Sequence, residues 1–224
     1  MISYSLYISV TEELASCTRM QTLALAALGL ERLWKMFSDW TDTEGDPLLY
    51  QRPAAFRRRA RDILDLFWAQ IEAGQESSRH DGELRRFLDF VNGSCDGNDA
   101  PDVDMGTGRP LLNEMFGGVQ CFFSEMEEKS NAAGCVTAYA GYLEGILYDR
   151  YDGPCREGLP QVPPGERAEL LEQRIDTAIG EDPLWKAELA RIRQDFLLVR
   201  DSSADFARLR KRRAELWQMD YLVP

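Results

Sequence analysis

The sequence predicts an all-α protein, a single compact multi-helix domain of about seven or eight helices over residues 1–224. Three observations carry that expectation. Apolar residues recur at three- and four-residue spacing in nearly every segment, strand-like alternation is confined to Ile2, Tyr4, Leu6, Ile8 and Val10, and helix-start or helix-stop residues separate most of the segments. With 44% hydrophobic residues, the chain can fill a proper core.

Taken in order, the alternating stretch at the N-terminus has no partner strand, so it is expected to be an extended arm or the start of a helix. Ser9 and Glu12 have the spacing of a capping box. Leu14, Cys17, Leu25, Leu28, Leu33, Trp34 and Phe37 then follow helically to Trp40, with Gly29 as a place to bend or loosen the helix. Residues 42–47, DTEGDP, break the pattern. Pro53 suits a first helical turn, and Phe56, Ala60, Ile63, Leu64, Phe67 and Ile71 form one face of a helix that Gly74 closes. Arg57, Arg58, Arg59 and Arg61 crowd its first turns against the helix dipole, which calls for acids elsewhere in the fold to pair with them. A further helix over Gly82 to Val91 turns Leu84, Phe87, Leu88 and Val91 inward.

Residues 92–109, NGSCDGNDAPDVDMGTGR, form the first long loop, rich in glycine and carrying Asp96, Asp99, Asp102 and Asp104. Such a composition cannot bury a core. Pro110 opens a helix with Leu111, Leu112, Met115, Phe116, Val119, Phe122, Phe123 and Met126, apolar around most of its circumference and therefore central. A small-residue helix is expected over Ala132 to about Tyr151. Its core face is Val136, Tyr139, Leu143 and Leu147, and a stripe of Gly134, Ala138, Gly141 and Gly145 would let another backbone approach closely. The second long loop spans 152–165. A helix then runs from Pro164 or Glu166 through Leu170, Leu171, Ile175 and Ile179 to Gly180. Asp182 and Pro183 make an N-cap and first-turn pair for the next, with Leu184, Trp185, Leu189, Ile192 and Phe196 inward. Ser203 caps a final helix carrying Phe206, Leu209, Leu216 and Trp217, on which RLRKRR, residues 208–213, forms a solvated basic face.

The net charge of −12 is unevenly distributed: residues 92–165 hold twelve Asp and Glu against four Lys and Arg, two thirds of the excess. Nucleic-acid binding needs a basic footprint and is disfavoured. A basic protein partner suits this surface. The longest apolar run, Leu23 to Leu30, is eight residues, far short of the ~20 that span a bilayer, and no secretion signal precedes it. Five scattered cysteines without a CxxC pair fit small core or loop residues in a reducing cytoplasm, neither a disulfide framework nor a zinc site.

Catalytic chemistry finds little to stand on. His80 is the sole histidine, which removes histidine-rich metal centres and di-iron bundles built on Glu-x-x-His. Glu166, Glu169 and Glu172 have the ExxE spacing of magnesium-dependent all-α nucleotide hydrolases, but no ExxD follows and they point outward if Leu170 and Leu171 point in. The acidic loop fails the EF-hand pattern from Asp96, Asp99 or Asp102, and GxSxG, the P-loop and GxGxxG are absent. No catalytic residue, metal ligand or cofactor is therefore assigned. A recognition surface remains: Tyr148, Asp149, Tyr151 and Asp152 mix rings with carboxylates at a helix end, and the acidity continues through Asp96, Asp99, Asp102, Asp104, Glu125, Glu127 and Glu128.

LALAALGLERLWKMF (Leu23 to Phe37), RRARDILDLFWAQI (Arg58 to Ile71) and AYAGYLEGIL (Ala138 to Leu147) resemble a family of small all-helical bacterial cytoplasmic proteins of unknown function, through hydrophobic patterns over about two thirds of the chain. In size, acidity and helical content the chain is also similar to immunity proteins of bacterial polymorphic and type VI secretion toxins. That resemblance implies a non-enzymatic protein that binds and blocks a cognate toxin, plausibly a nuclease. The other expectations carried forward are an all-α hydrolase with carboxylate-bound magnesium and a helical scaffold without catalysis.

Overall fold

Buried residues line the two longest helices, one of them on every side over residues 22–34, and the remaining helices are laid around them. In the computed structural model the described residues are 2–43, 61–74 except 63, 67 and 70, 129–157, 159, 163, 165–201 and 206–218. Among them are seven helices and no strand. These are α1 (Ile2–Leu14), α2 (Arg19–Thr43), α3 (within 61–73), α4 (Lys129–Cys155), α5 (Arg167–Glu181), α6 (Pro183–Asp201) and α7 (Phe206–Leu216). The expected helices over 82–91 and 110–126, the loop 92–109, His80, Cys95, Cys121 and the Ser203 cap lie outside the described residues.

The alternating N-terminal residues are helical from Ile2 onward, so Ser9 and Glu12 fall inside α1 and not at a helix start. The chain instead breaks at residues 15–18, and the capping box is Thr18 with Gln21: Gln21 N–H donates to Thr18 Oγ1 at 3.3 Å, and Thr18 N–H donates to Gln21 Oε1 at 2.9 Å. From Thr22 to Trp34 every residue of α2 is buried, a run that needs protein on all sides. α4 supplies one side, with Ala133, Val136, Tyr139, Ala140, Leu143 and Leu147 in the core. α1 lies against α4, α5 and α6 pack on α4 and on each other, and α7 reaches α2 and α6.

Gly29 marks where α2 and α4 cross and does not loosen α2. A Cβ built there would stand 2.2 Å from the Cys135 carbonyl oxygen and 2.8 Å from its carbon. The glycine stripe of α4 plays no such part, because a Cβ at Gly134, Gly141 or Gly145 would meet nothing within 4 Å. α4 also continues beyond the expected end, through Asp152, Gly153 and Pro154 to Cys155, with Arg156 and Asp152 joined one turn apart.

α5 and α6 follow the sequence closely at their starts. Asp182 Oδ1 accepts from Leu184 N–H at 2.7 Å, capping α6 ahead of Pro183. On α6 the buried positions are Trp185, Glu188, Ile192, Asp195, Phe196 and Val199, while the expected inward Leu184 is exposed. Two carboxylates therefore sit on the inner face. α3 buries Leu64, Trp68 and Ile71 and ends at Gly74, whose φ of 61° is the left-handed geometry that favours glycine. No helix among the described residues is long and apolar enough to cross a membrane.

Candidate functional site

Two adjacent charged residues interrupt the apolar run of α2, and both are buried: Glu31 at 0% and Arg32 at 1% exposure. A charge removed from water is tolerated only with close partners. Among the described residues Glu31 accepts five hydrogen bonds. Arg61 of α3 grips it with a two-pronged fork, Nη1 to Oε2 and Nη2 to Oε1 both at 3.0 Å. Trp68 Nε1 donates to Oε1 at 2.8 Å, Arg213 Nε to Oε1 at 2.5 Å, and Trp217 Nε1 to Oε2 at 2.6 Å. The guanidiniums of Arg61 and Arg213 also lie over the rings of Trp217 and Trp68, at 5.2 and 5.4 Å from their centroids. Asp65 accepts from both arginines and completes the outer shell.

Arg32 turns the other way. Its Nη2 donates to the Val136 carbonyl of α4 at 2.9 Å, and Nη1 stands 3.3 Å from Glu188 Oε1 and 3.4 Å from Asp195 Oδ2 on α6. Asp195 Oδ1 accepts from Arg212 Nε of α7 at 2.6 Å. The neighbouring pair Arg212 and Arg213 thus answers the neighbouring pair Glu31 and Arg32, the first through Asp195 and the second directly. This corrects the expectation of a solvated basic face over 208–213, since Arg212 is buried and Arg213 largely so. Arg208 and Arg210, more exposed, pair with Asp201 and Glu72.

Glu188 is the least satisfied member of the array. It is fully buried, neither oxygen makes a hydrogen bond among the described residues, and its nearest cations are Arg32 and, at 3.6 Å, Arg191. Burial pushes its carboxyl up from the ordinary 4.5, with Arg32 and Arg191 pulling it back and Asp195 adding to the rise. A raised acid contributes stability that is complete below 4.5 and is lost as pH climbs through the folded value. Glu188→Gln, which removes the ionisation and keeps the shape, is therefore expected to gain on the wild type as pH rises from 4.5. Urea midpoints between pH 4 and 8 measure this, and a pH-independent difference between the two proteins would refute it.

Above the Glu31 cluster, Arg61, Asp65, Arg210, Arg213, Ala214 and Trp217 line an open cleft of about 520 Å³. Its three guanidiniums are already committed to Glu31, Asp65 and Glu72, so its charge is balanced within the protein. No group of three or more His, Cys, Asp or Glu among the described residues is placed to hold a metal ion. Glu166, Glu169 and Glu172 stand exposed at the start and along the outside of α5.

Of the residues expected to bind a partner, Asp96, Asp99, Asp102, Asp104, Glu125, Glu127 and Glu128 lie outside the described residues. Tyr148, Asp149, Tyr151 and Asp152 are on the last turns of α4, and the structure divides them. Tyr151 is half-buried and its hydroxyl donates to Asp182 Oδ2 at 2.7 Å, a bond that raises its pKa. Asp152 is held by Arg156 at 2.7 and 2.9 Å, which lowers its pKa. Tyr148 and Asp149 are exposed and enter no hydrogen bond or ion pair among the described residues. The chain matches no family model, no curated protein and no solved structure. The fold and the arrangement of charges define its class: an all-α protein with a buried, charge-balanced core network and a tyrosine-carboxylate end on α4.

Proposed function

We propose that the chain is an immunity protein, which binds a basic toxin domain and blocks it through an acidic surface. The observation that carries this reading is where the excess of acid lies along the sequence. Residues 92–165 hold twelve acids against four bases, and two of those four bases, Arg150 and Arg156, are turned onto Asp182 and Asp152. Asp149 beside them is left exposed to solvent. Carboxylates grouped in this way steer a basic partner and speed its capture. A nuclease is the kind of toxin that fits, because its substrate groove attracts phosphates and accepts carboxylates in their place.

The test is expression of the adjacent gene's product in cells with and without this chain. Rescue of growth together with co-purification of the two proteins is expected, weakening as ionic strength rises. Unrescued growth and separate elution of the two proteins would refute the proposal.

A further inference from the structure

On the proposed reading as a binding protein, we infer that Tyr4 and Ile8 of α1, with Tyr148 and Asp149 of α4, form the centre of the contact with the basic partner. The structure brings the two elements together at Glu144. Its Oε1 accepts from the N–H groups of Ile2 at 2.7 Å and Ser3 at 3.4 Å, and its Oε2 from the Ser3 hydroxyl, so a carboxylate of α4 holds the first turn of α1. Tyr148 is one turn beyond Glu144 on the same face of α4, and Tyr4 follows Ser3. Three of the five exposed large apolar side chains among the described residues lie on these two helices: Tyr4 at 61%, Ile8 at 42% and Tyr148 at 40%.

Two further features make the junction a recognition surface for a cation-bearing protein. The Tyr4 ring stacks on Tyr7, with centroids 6.5 Å apart and planes at 17°, and Tyr7 packs on the core. An exposed ring already fixed in place loses little freedom when a partner covers it. Among the described residues the charges left without an ion pair here are acidic. α1 contains Glu12 and Glu13 and no Lys or Arg; Glu13 pairs with Arg200, while Glu12 and Asp149 are exposed and in no ion pair among the described residues. The nearby cations, Arg150 and Arg156, are taken up by Asp182 and Asp152. Tyrosine faces and exposed carboxylates together suit the Lys and Arg side chains of a basic protein.

Isothermal titration of the purified chain with the purified product of the adjacent gene tests this. The pairs Tyr4→Ala with Ile8→Ala and Tyr148→Ala with Asp149→Lys are each expected to weaken binding about tenfold or more, and Asp149→Asn alone by less. Glu169→Lys, which reverses an exposed acid on α5, is expected to leave affinity unchanged. Tight binding by the wild type with both paired variants unaffected would overturn this surface and leave the immunity reading standing. Wild-type protein that does not bind would overturn both. A concentration-dependent dimer in light scattering that Tyr4→Ala with Ile8→Ala dissociates would assign the face to a second copy of the chain and overturn the basic partner.

Discussion

Arg32→Leu is expected to destabilise the protein by about 3–5 kcal/mol, the usual cost of breaking a buried ion pair from one side. The leucine fits the volume of the α2 core but leaves Glu188 and Asp195 facing each other without the cation between them, and leaves the Val136 carbonyl without its donor. Chemical denaturation measures the loss. It should shrink at acid pH, where a proton can stand in for the missing guanidinium, and it should be partly recovered by adding Glu188→Gln. A double-mutant cycle over Arg32 and Glu188 isolates that coupling. Additive losses would mean that Glu188 does not depend on Arg32.

Gly29→Ala is the second large effect, at about 3 kcal/mol of destabilisation. Alanine is the better helix former by about 1 kcal/mol, so propensity alone points the other way. The clash wins because the atom 2.2 Å from the new methyl is a backbone carbonyl oxygen of α4, which cannot swing aside as a side chain can. α2 and α4 must separate, and the core between them opens. Gly134→Ala is the matched control: nothing lies within 4 Å of its Cβ, and it should be neutral or slightly stabilising. Thermal unfolding of both variants decides the matter, and equal melting temperatures would contradict the crossing geometry.

Most of the described fold was legible in local signals of the chain. The spacing of Val136, Tyr139, Leu143 and Leu147 identified the core face of α4, and Asp182 with Pro183 marked the start of α6. The boundary between α1 and α2 was misplaced because two capping boxes compete within a few residues. Ser9 with Glu12 and Thr18 with Gln21 have equivalent spacing, and the turn falls at residues 15–18, with Leu14 and Cys17 packed on the core. The close approach is also made elsewhere than expected: the stripe of three glycines and Ala138 in α4 suggests it, while a lone glycine in α2 makes it. Which glycine meets a neighbour is decided by how two helices cross, and no local pattern records that.

The buried charges illustrate the same limit. LALAALGLERLW displays a charged pair inside an apolar run, and that was a legible warning of a core network. Its partners were not legible, since Arg213 is 182 residues from Glu31 in the chain. On α7, a run of arginines looks like a solvated face until the fold shows which of them turn inward. For the candidate site, YDRYDG was visible as a mixture of rings and acids. Its division into tethered Tyr151 and Asp152 and exposed Tyr148 and Asp149 depended on Asp182 and Arg156, which only the fold and the extra turn of α4 bring into place.

The pairing of Glu31–Arg32 with Arg212–Arg213 gives α7 an address on the core as well as an attachment to it. Successive residues on a helix point about 100° apart, so a slip of one residue would carry Arg213 away from Glu31 and Arg212 away from Asp195 together. An oily stripe of Leu209 and Leu216 alone would accept neighbouring registers at small cost. The two adjacent guanidiniums make those alternatives leave carboxylates stranded in the core, which is far more expensive than a lost hydrophobic contact. Descent with modification at these positions would then have to be concerted: a change at Glu31 calls for one at Arg61 or Arg213, and a change at Asp195 for one at Arg32 or Arg212.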